Sequence, residues 1–128
     1  MEARSKVLII DDDPLIREMI KILFEDDANH YEVLEAGDVG KGLDLAVDHT
    51  PHLIITDVLM PRLSGFDLIV AIRSNPVVQH IPILVCSAKQ PPADRECLEM
   101  GASAYLSKPL NMQVLLSTAK GLLGHPTA

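Results

Sequence analysis

Short apolar runs alternate with stretches of helical period along the whole chain, and this alternation constrains the fold more than any other feature. Val7–Ile10 is continuous and rich in β-branched residues, which is typical of a strand buried on both faces. The next segment, Pro14–Glu25, repeats apolar residues at helical spacing. Four more strand and helix pairs follow. The sequence therefore predicts an α/β fold, with five parallel strands in a doubly wound sheet and five helices on its two faces.

The remaining elements are separated by short connections. The predicted strands are Tyr31–Ala36, Leu53–Thr56, Ile83–Cys86 and Ala104–Leu106. The predicted helices are Val39–Val47, Phe66–Arg73, Pro92–Met100 and Met112–Leu123. Gly40 and Gly42 are expected to destabilise the first of these helices, and Gly101 is expected to end the third in a left-handed conformation. We expect one domain over residues 1–128, with a core at about 6–123.

Composition excludes several classes of protein. The net charge is −7 and no two basic residues are adjacent, which argues against direct nucleic-acid binding. The apolar runs are too short to span a bilayer and the N-terminus lacks a signal peptide, so a cytoplasmic protein is expected. Cys86 and Cys97 lack metal-site spacing and are expected to be buried thiols. Pro51 prevents a regular helix from presenting His49 and His52 together to a zinc ion.

Polar residues stand where the predicted strands end, which is where doubly wound sheets bind their ligands. They are Asp11, Asp12 and Asp13 after the first strand, Asp57 after the third, Ser87 after the fourth and Lys108 after the fifth. Turn and cap chemistry explains each of them singly, but it does not require all of them at one edge. Asp13 precedes Pro14, a favoured first helical residue, and is therefore the expected N-cap of the first helix.

This set of side chains suits one chemistry in particular. Carboxylates and backbone carbonyls are the ligands that Mg²⁺ prefers, together with phosphate oxygens. A carboxylate facing the phosphorus atom is a suitable nucleophile and would form an acyl phosphate. Lysine supplies a positive charge and serine a hydrogen-bond donor for the transferred group. The strand-end residues therefore predict a phosphoaspartate site.

The sequence resembles the receiver (CheY-like) domain of two-component response regulators. The resemblance runs from about Lys6 to Leu123 and rests on four motifs in the family's order. They read VLIIDDDP, PHLIITDVLMPRLSGFDL, IPILVCSAK and GASAYLSKPL. The resemblance implies a flavodoxin-like fold with strand order 2-1-3-4-5.

The resemblance also implies a role for each residue of these motifs. Asp57 would accept a phosphoryl group from a phosphohistidine. Mg²⁺, for which Mn²⁺ can substitute, would be held by Asp11, Asp12, Asp57 and the backbone carbonyl of Leu59. Ser87 would be the switch hydroxyl, Tyr105 the aromatic switch, and Lys108 the partner of the phosphoryl group, followed by a cis peptide at Lys108-Pro109. Leu59 and Lys89 stand where family members differ in autodephosphorylation. An ordinary β-favouring aromatic residue on an edge strand is the simpler interpretation of Tyr105.

A protein of this kind would be a signalling protein that catalyses only its own phosphorylation and slow dephosphorylation. Its phosphodonor would be a histidine kinase or a histidine phosphotransfer protein. The expected switch alters the face formed by the fourth helix, the fifth strand and the fifth helix, through which transient dimers also form in the family. The sequence leaves open whether the chain acts alone or is joined to an output domain.

Two other classes share parts of this pattern. Asp11-x-Asp13 also resembles the start of a haloacid-dehalogenase-type phosphatase, in which Asp11 would be the nucleophile, although no acidic residue follows Lys108. A flavodoxin-like electron carrier would have the same topology. Its phosphate loop, however, would not carry the acidic residues of VLIIDDDP.

Overall fold

A computed structural model describes residues 4–59, 64–88 and 92–126. Five strands and five helices alternate along this part of the chain. The strands are β1 Lys6–Ile10, β2 Glu32–Ala36, β3 Leu53–Thr56, β4 Ile83–Ser87 and β5 Ala104–Ser107. The helices are α1 Pro14–Asp26, α2 Val39–His49, α3 Gly65–Arg73, α4 Ala93–Met100 and α5 Met112–Leu123.

All strand pairs are parallel, and the strand order is β2-β1-β3-β4-β5. This confirms the predicted fold class and topology. The order reverses between β1 and β3, where Ile10 is level with Thr56. Ligands of doubly wound sheets bind outside the carboxyl ends of the strands at this reversal. Asp11 and Asp57, the residues that follow Ile10 and Thr56, are therefore neighbours at the expected position.

Alternating residues of the central strands belong to two separate cores. Val7 and Ile9 of β1 pack with Ile20 and Phe24 of α1 and with residues of α5. Leu8 and Ile10 point to the opposite face and pack against α2, α3 and α4. Burial on both faces explains why the strands are continuously apolar.

The second helix forms although two glycines lie in its first turns. It ends at His49, two residues beyond the prediction, and Thr50 follows in a left-handed conformation with φ 43°. A Cβ atom on Gly42 would lie 2.5 Å from the Cδ1 atom of Ile10. The glycine thus permits close packing of α2 on β1, and this packing offsets the low helix propensity.

Other boundaries differ from prediction by one residue. Tyr31 precedes β2 and lies buried beside Phe24, with the two ring centroids 5.4 Å apart. Ser87 is the last residue of β4 rather than the residue after it. Pro92 is the N-cap of α4, and Gly101 ends that helix at φ 119°, as the sequence predicts.

Both cysteines are buried free thiols, and burial raises the pKa of Cys86 to about 12. No helix in the described part of the chain has the length and apolar character needed to cross a membrane.

The first helix begins at the predicted cap. The carboxylate of Asp13 accepts a hydrogen bond of 2.9 Å from the backbone N–H of Leu15, and Pro14 occupies the first helical position. Asp13 is exposed, so its carboxylate makes this bond without a large desolvation cost.

We expect Asp13→Ala to lower the free energy of unfolding by about 1 kcal/mol, because the helix loses its N-cap. Urea denaturation in magnesium-free buffer measures this change. Asp12→Ala is the matched control, since it removes the same charge from the same acidic run but is not the cap. Equal losses in the two variants would contradict a capping role.

Candidate functional site

Three of the residues predicted at the strand ends converge on one position. The ammonium group of Lys108 lies 2.8 Å from Asp11 Oδ2 and 2.7 Å from Asp57 Oδ2. Asp11 and Asp57 follow neighbouring strands, whereas Lys108 reaches them from the end of β5. One lysine therefore bridges two carboxylates that come from different parts of the chain.

Both carboxylates are buried and have hydrogen-bond donors on each oxygen. Asp11 is 4% exposed and Asp57 is 6% exposed. The Oδ1 atom of Asp11 accepts a bond from the backbone N–H of Asp13, and that of Asp57 accepts one from Leu59. If Asp57 were only a turn former, its carboxylate would be expected to bind a backbone N–H two residues later, and it does bind that of Leu59. The same carboxylate also binds Lys108, which turn chemistry does not require.

The site's electrostatics reflect competition between burial and charge pairing. Burial raises the pKa of the Asp11 carboxyl, and the opposing hydrogen bond from Lys108 does not fully offset this effect. Burial also disfavours the charged form of Lys108, but hydrogen bonds to Asp11 and Asp57 outweigh it and raise the pKa of the lysine. The ammonium thus stays protonated at neutral pH and compensates the two carboxylates.

Ser87 and Tyr105 lie beside this cluster on the last two strands. Ser87 is completely buried, and its backbone carbonyl accepts a hydrogen bond of 2.9 Å from the backbone N–H of Lys108. The phenol of Tyr105 forms a side-chain hydrogen bond with Ser87 and packs against the core on the α3 and α4 face. Burial is the main cause that raises the pKa of Tyr105. The two predicted switch residues are therefore in contact, on the edge side of the sheet.

Asp12 is less closely tied to the cluster than Leu59, whose backbone N–H bonds to Asp57. Asp12 is exposed, and the side chain of Leu59 is 48% exposed. Among the described residues, no three His, Cys, Asp or Glu side chains lie close enough together to hold a metal ion. The peptide between Lys108 and Pro109 is cis, as expected. Lys89 lies outside the described residues.

The donor set nevertheless fits the magnesium ion that the resemblance implies. Asp11 and Asp57 both direct a carboxylate oxygen at one cation, here the lysine ammonium. Mg²⁺ prefers oxygen ligands and is usually held by one or two carboxylates, with water and phosphate oxygens completing its coordination. The two buried carboxylates of Asp11 and Asp57 meet that requirement.

Gly65 contributes to the site, although the sequence predicts no role for it. A Cβ atom there would lie 2.2 Å from the backbone oxygen of Asp57 and 2.6 Å from the Cα atom of Val58. Only glycine lets the first turn of α3 approach the end of β3 so closely. The Ser64–Asp67 capping box fixes the start of the same helix, and the close approach depends on the tertiary fold.

Comparison with known proteins agrees with the geometry. The family model that describes the response regulator receiver domain matches residues 7–120 of this chain. The chain belongs to the response regulator receiver family. Receivers are signalling proteins rather than turnover enzymes, and as a family they depend on Mg²⁺. Membership in this family argues against the haloacid-dehalogenase-type phosphatase and the flavodoxin-like electron carrier as the class of this protein.

Individual relatives resemble this receiver over nearly its whole length. The polar-differentiation response regulator DivK of Brucella anthropi is 31% identical over 94% of this chain and 97% of its own. The DNA-binding regulator RpaA of Synechocystis is 34% identical, but the match covers 48% of that protein. The structure of the chemotaxis protein CheY4 of Vibrio cholerae is 33% identical with a TM-score of 0.85, covering 94% of this chain and 99% of its own. A putative response regulator from Chloroflexus aurantiacus is 31% identical with a TM-score of 0.88, over 96% and 100% of the two chains.

Replacing Lys108 with methionine should lower stability more at pH 8 than at pH 5. The two buried carboxylates would then face each other without a counter-charge, and a loss of about 1–3 kcal/mol is expected at pH 8. The pKa of Asp11, which burial already raises, would rise further in the folded protein. The folded state would then bind a proton more tightly than the unfolded chain, so stability would fall as pH rises. In the native receiver, by contrast, the raised pKa of Lys108 means that its contribution persists up to the ordinary value of 10.5 and is lost only above it.

Urea denaturation at both pH values in the presence of a chelator measures this difference. Lys21→Met is the control, since Lys21 pairs with Glu35 at 3.7 Å in a more exposed position. A deficit for Lys108→Met that is the same at pH 5 and pH 8 would contradict the pairing argument.

Proposed function

We propose that this receiver accepts a phosphoryl group on Asp57 and thereby switches a protein-binding face. The observation that carries the proposal is the convergence of Asp57, Asp11 and Lys108 within hydrogen-bond distance at the strand-order reversal. In the reaction, a carboxylate oxygen of Asp57 attacks the phosphorus of a phosphohistidine. A P–O bond forms, the P–N bond breaks, and the imidazole keeps the electron pair and takes up a proton.

The other residues of the site would assist this reaction in different ways. Asp11, Asp12, Asp57 and the carbonyl of Leu59 would hold Mg²⁺, which offsets the charge of the phosphoryl oxygens when bound. Lys108 supplies a further positive charge to those oxygens, and Ser87 supplies a hydroxyl donor. Lys108 already contacts the carboxylate that is to be modified, so little movement is needed to reach the new group.

The switch arises from a change in the contacts of Ser87 and Lys108. A phosphoryl group on Asp57 favours whichever arrangement of these two residues contacts it best, and only such a difference can shift the equilibrium. Tyr105 shares a hydrogen bond with Ser87, so a movement of the serine alters the tyrosine and with it the face formed by α4, β5 and α5.

The partners proposed here are those that membership in the receiver family implies. The phosphodonor would be a histidine kinase or a histidine phosphotransfer protein, in the cytoplasm. The output would be carried by a protein or domain that recognises the switched face, on which transient dimers are also expected. The domain is proposed to span 1–128, with its core at about 6–123.

Incubation with phosphoramidate and Mg²⁺, followed by intact mass measurement, tests the modification. We expect the mass to rise by one phosphoryl group in the native protein and to stay unchanged in Asp57→Asn. Asp48→Asn is the control, because it makes the same change at an exposed aspartate near the end of α2. Labelling that persists in Asp57→Asn, or no labelling of the native protein, would overturn the assignment.

Asp12→Ala should weaken Mg²⁺ binding more than Asp13→Ala does. The carboxylate of Asp13 is already engaged as the cap of α1, whereas Asp12 is exposed next to Asp11. Magnesium titration followed by NMR provides the two dissociation constants. Equal effects would show that overall negative charge, and not ligation by Asp12, determines the affinity.

A further inference from the structure

Arg17 joins the first turn of α1 to the acidic run that follows β1. Its Nη1 atom donates a hydrogen bond of 2.6 Å to the backbone carbonyl of Asp11, and its Nε atom donates one of 3.3 Å to Oε1 of Glu35. The side chain of Arg17 is 20% exposed, so these contacts are largely shielded from water. No sequence motif points to Arg17, because Asp11 and Glu35 meet it only in the folded chain.

The carbonyl of Asp11 lies just beyond the end of β1. The N–H group of Asp11 still pairs with the carbonyl of Ala36, which continues the contact between β1 and β2 by one residue. The Asp11 carbonyl turns instead toward α1, where the guanidinium of Arg17 satisfies it with a charged donor. Such charge-assisted bonds are about twice as strong as neutral ones.

The acidic run is therefore held at both ends. Arg17 holds the carbonyl of Asp11, while Asp13 caps α1 and its backbone N–H binds Oδ1 of Asp11. The backbone N–H of Arg17 also bonds to the carbonyl of Asp13, at 3.2 Å. These contacts determine the path of the backbone from which Asp11 and Asp12 project.

We infer that Arg17 is a positioning residue for the acidic pair Asp11 and Asp12. It touches no reacting atom and acts by fixing the peptide that carries these two carboxylates, which is the role of the outer partners of a metal site. As far as Mg²⁺ is concerned, this inference rests on the proposed function of the site.

Arg17→Gln should raise the dissociation constant for Mg²⁺ by about 10-fold, a typical effect of losing an outer partner of a metal ligand. The rate of phosphorylation by phosphoramidate at saturating Mg²⁺ should change much less, because Asp57 and Lys108 are untouched. Arg17→Lys keeps a charged donor and should recover part of the affinity.

Lys21→Gln is the matched control. Lys21 lies one helical turn after Arg17 and pairs with the other carboxylate oxygen of the same Glu35, so the charge lost is equal. Its affinity for Mg²⁺ should stay close to the native value. Equal weakening by Lys21→Gln and Arg17→Gln would show a general charge effect and overturn the inference.

Hydrogen exchange at the Asp13 amide provides a readout that needs no metal. This amide binds Oδ1 of Asp11, so its exchange should accelerate in Arg17→Gln and remain unchanged in Lys21→Gln. A lower melting temperature for Arg17→Gln without a change in exchange or Mg²⁺ affinity would mean a purely structural role and would overturn the inference.

The two hypotheses can fail separately. If the native protein binds no Mg²⁺, the proposed function fails, and exchange at Asp13 alone decides whether Arg17 positions Asp11. If Arg17→Gln does not fold, Arg17→Lys and Glu35→Gln decide instead. The lysine variant should then show intermediate exchange and affinity, while Glu35→Gln, which keeps the bond from Arg17 to Asp11, should behave as the native protein. Equal changes in Arg17→Lys and Glu35→Gln would show that the bond from Arg17 to the Asp11 carbonyl does not position the acidic pair, and would overturn the inference.

Discussion

The bridge from Lys108 to Asp11 and Asp57 is the interaction on which the rest of this receiver depends. Two buried carboxylates on adjacent strands would repel each other strongly in a protein interior. The lysine ammonium, 2.8 and 2.7 Å from them, compensates that charge and links the end of β5 to the ends of β1 and β3. A pair of acidic residues can therefore be kept at the ends of neighbouring strands without being exposed to water.

The sequence predicts most of this arrangement because strand ends are set by local patterns. Apolar runs locate the strands, and parallel topology then brings Asp11, Asp57 and Lys108 to the same edge. Where the prediction falls short, tertiary packing is the cause. Gly42 was expected to weaken α2, but its missing side chain admits Ile10, and the packed helix extends to His49.

The contacts of Gly65 and Arg17 could not be predicted for a related reason. Each joins residues whose proximity depends on how a helix is seated on the sheet, to within a fraction of an ångström. The sequence predicts a helix over Phe66–Arg73, but not that α3 begins at Gly65 in contact with the backbone of Asp57. The roles of Asp12 and Leu59 remain predictions for a different reason. Those two roles concern the binding of Mg²⁺, and in this structure the ammonium of Lys108 lies between the carboxylates of Asp11 and Asp57.

The position of Lys108 also bears on the proposed switch, in which a phosphoryl group on Asp57 would affect the face formed by α4, β5 and α5. In the unmodified receiver the ammonium is shared between two carboxylates, so a phosphoryl group on Asp57 would compete directly for it. The backbone of Lys108 is bonded to the carbonyl of Ser87, and the hydroxyl of Ser87 is bonded to Tyr105. A shift of the lysine or the serine therefore acts on β4 and β5 together. β5 has a paired neighbour on one side only, so it is freer to adjust than β4, which is paired with both β3 and β5.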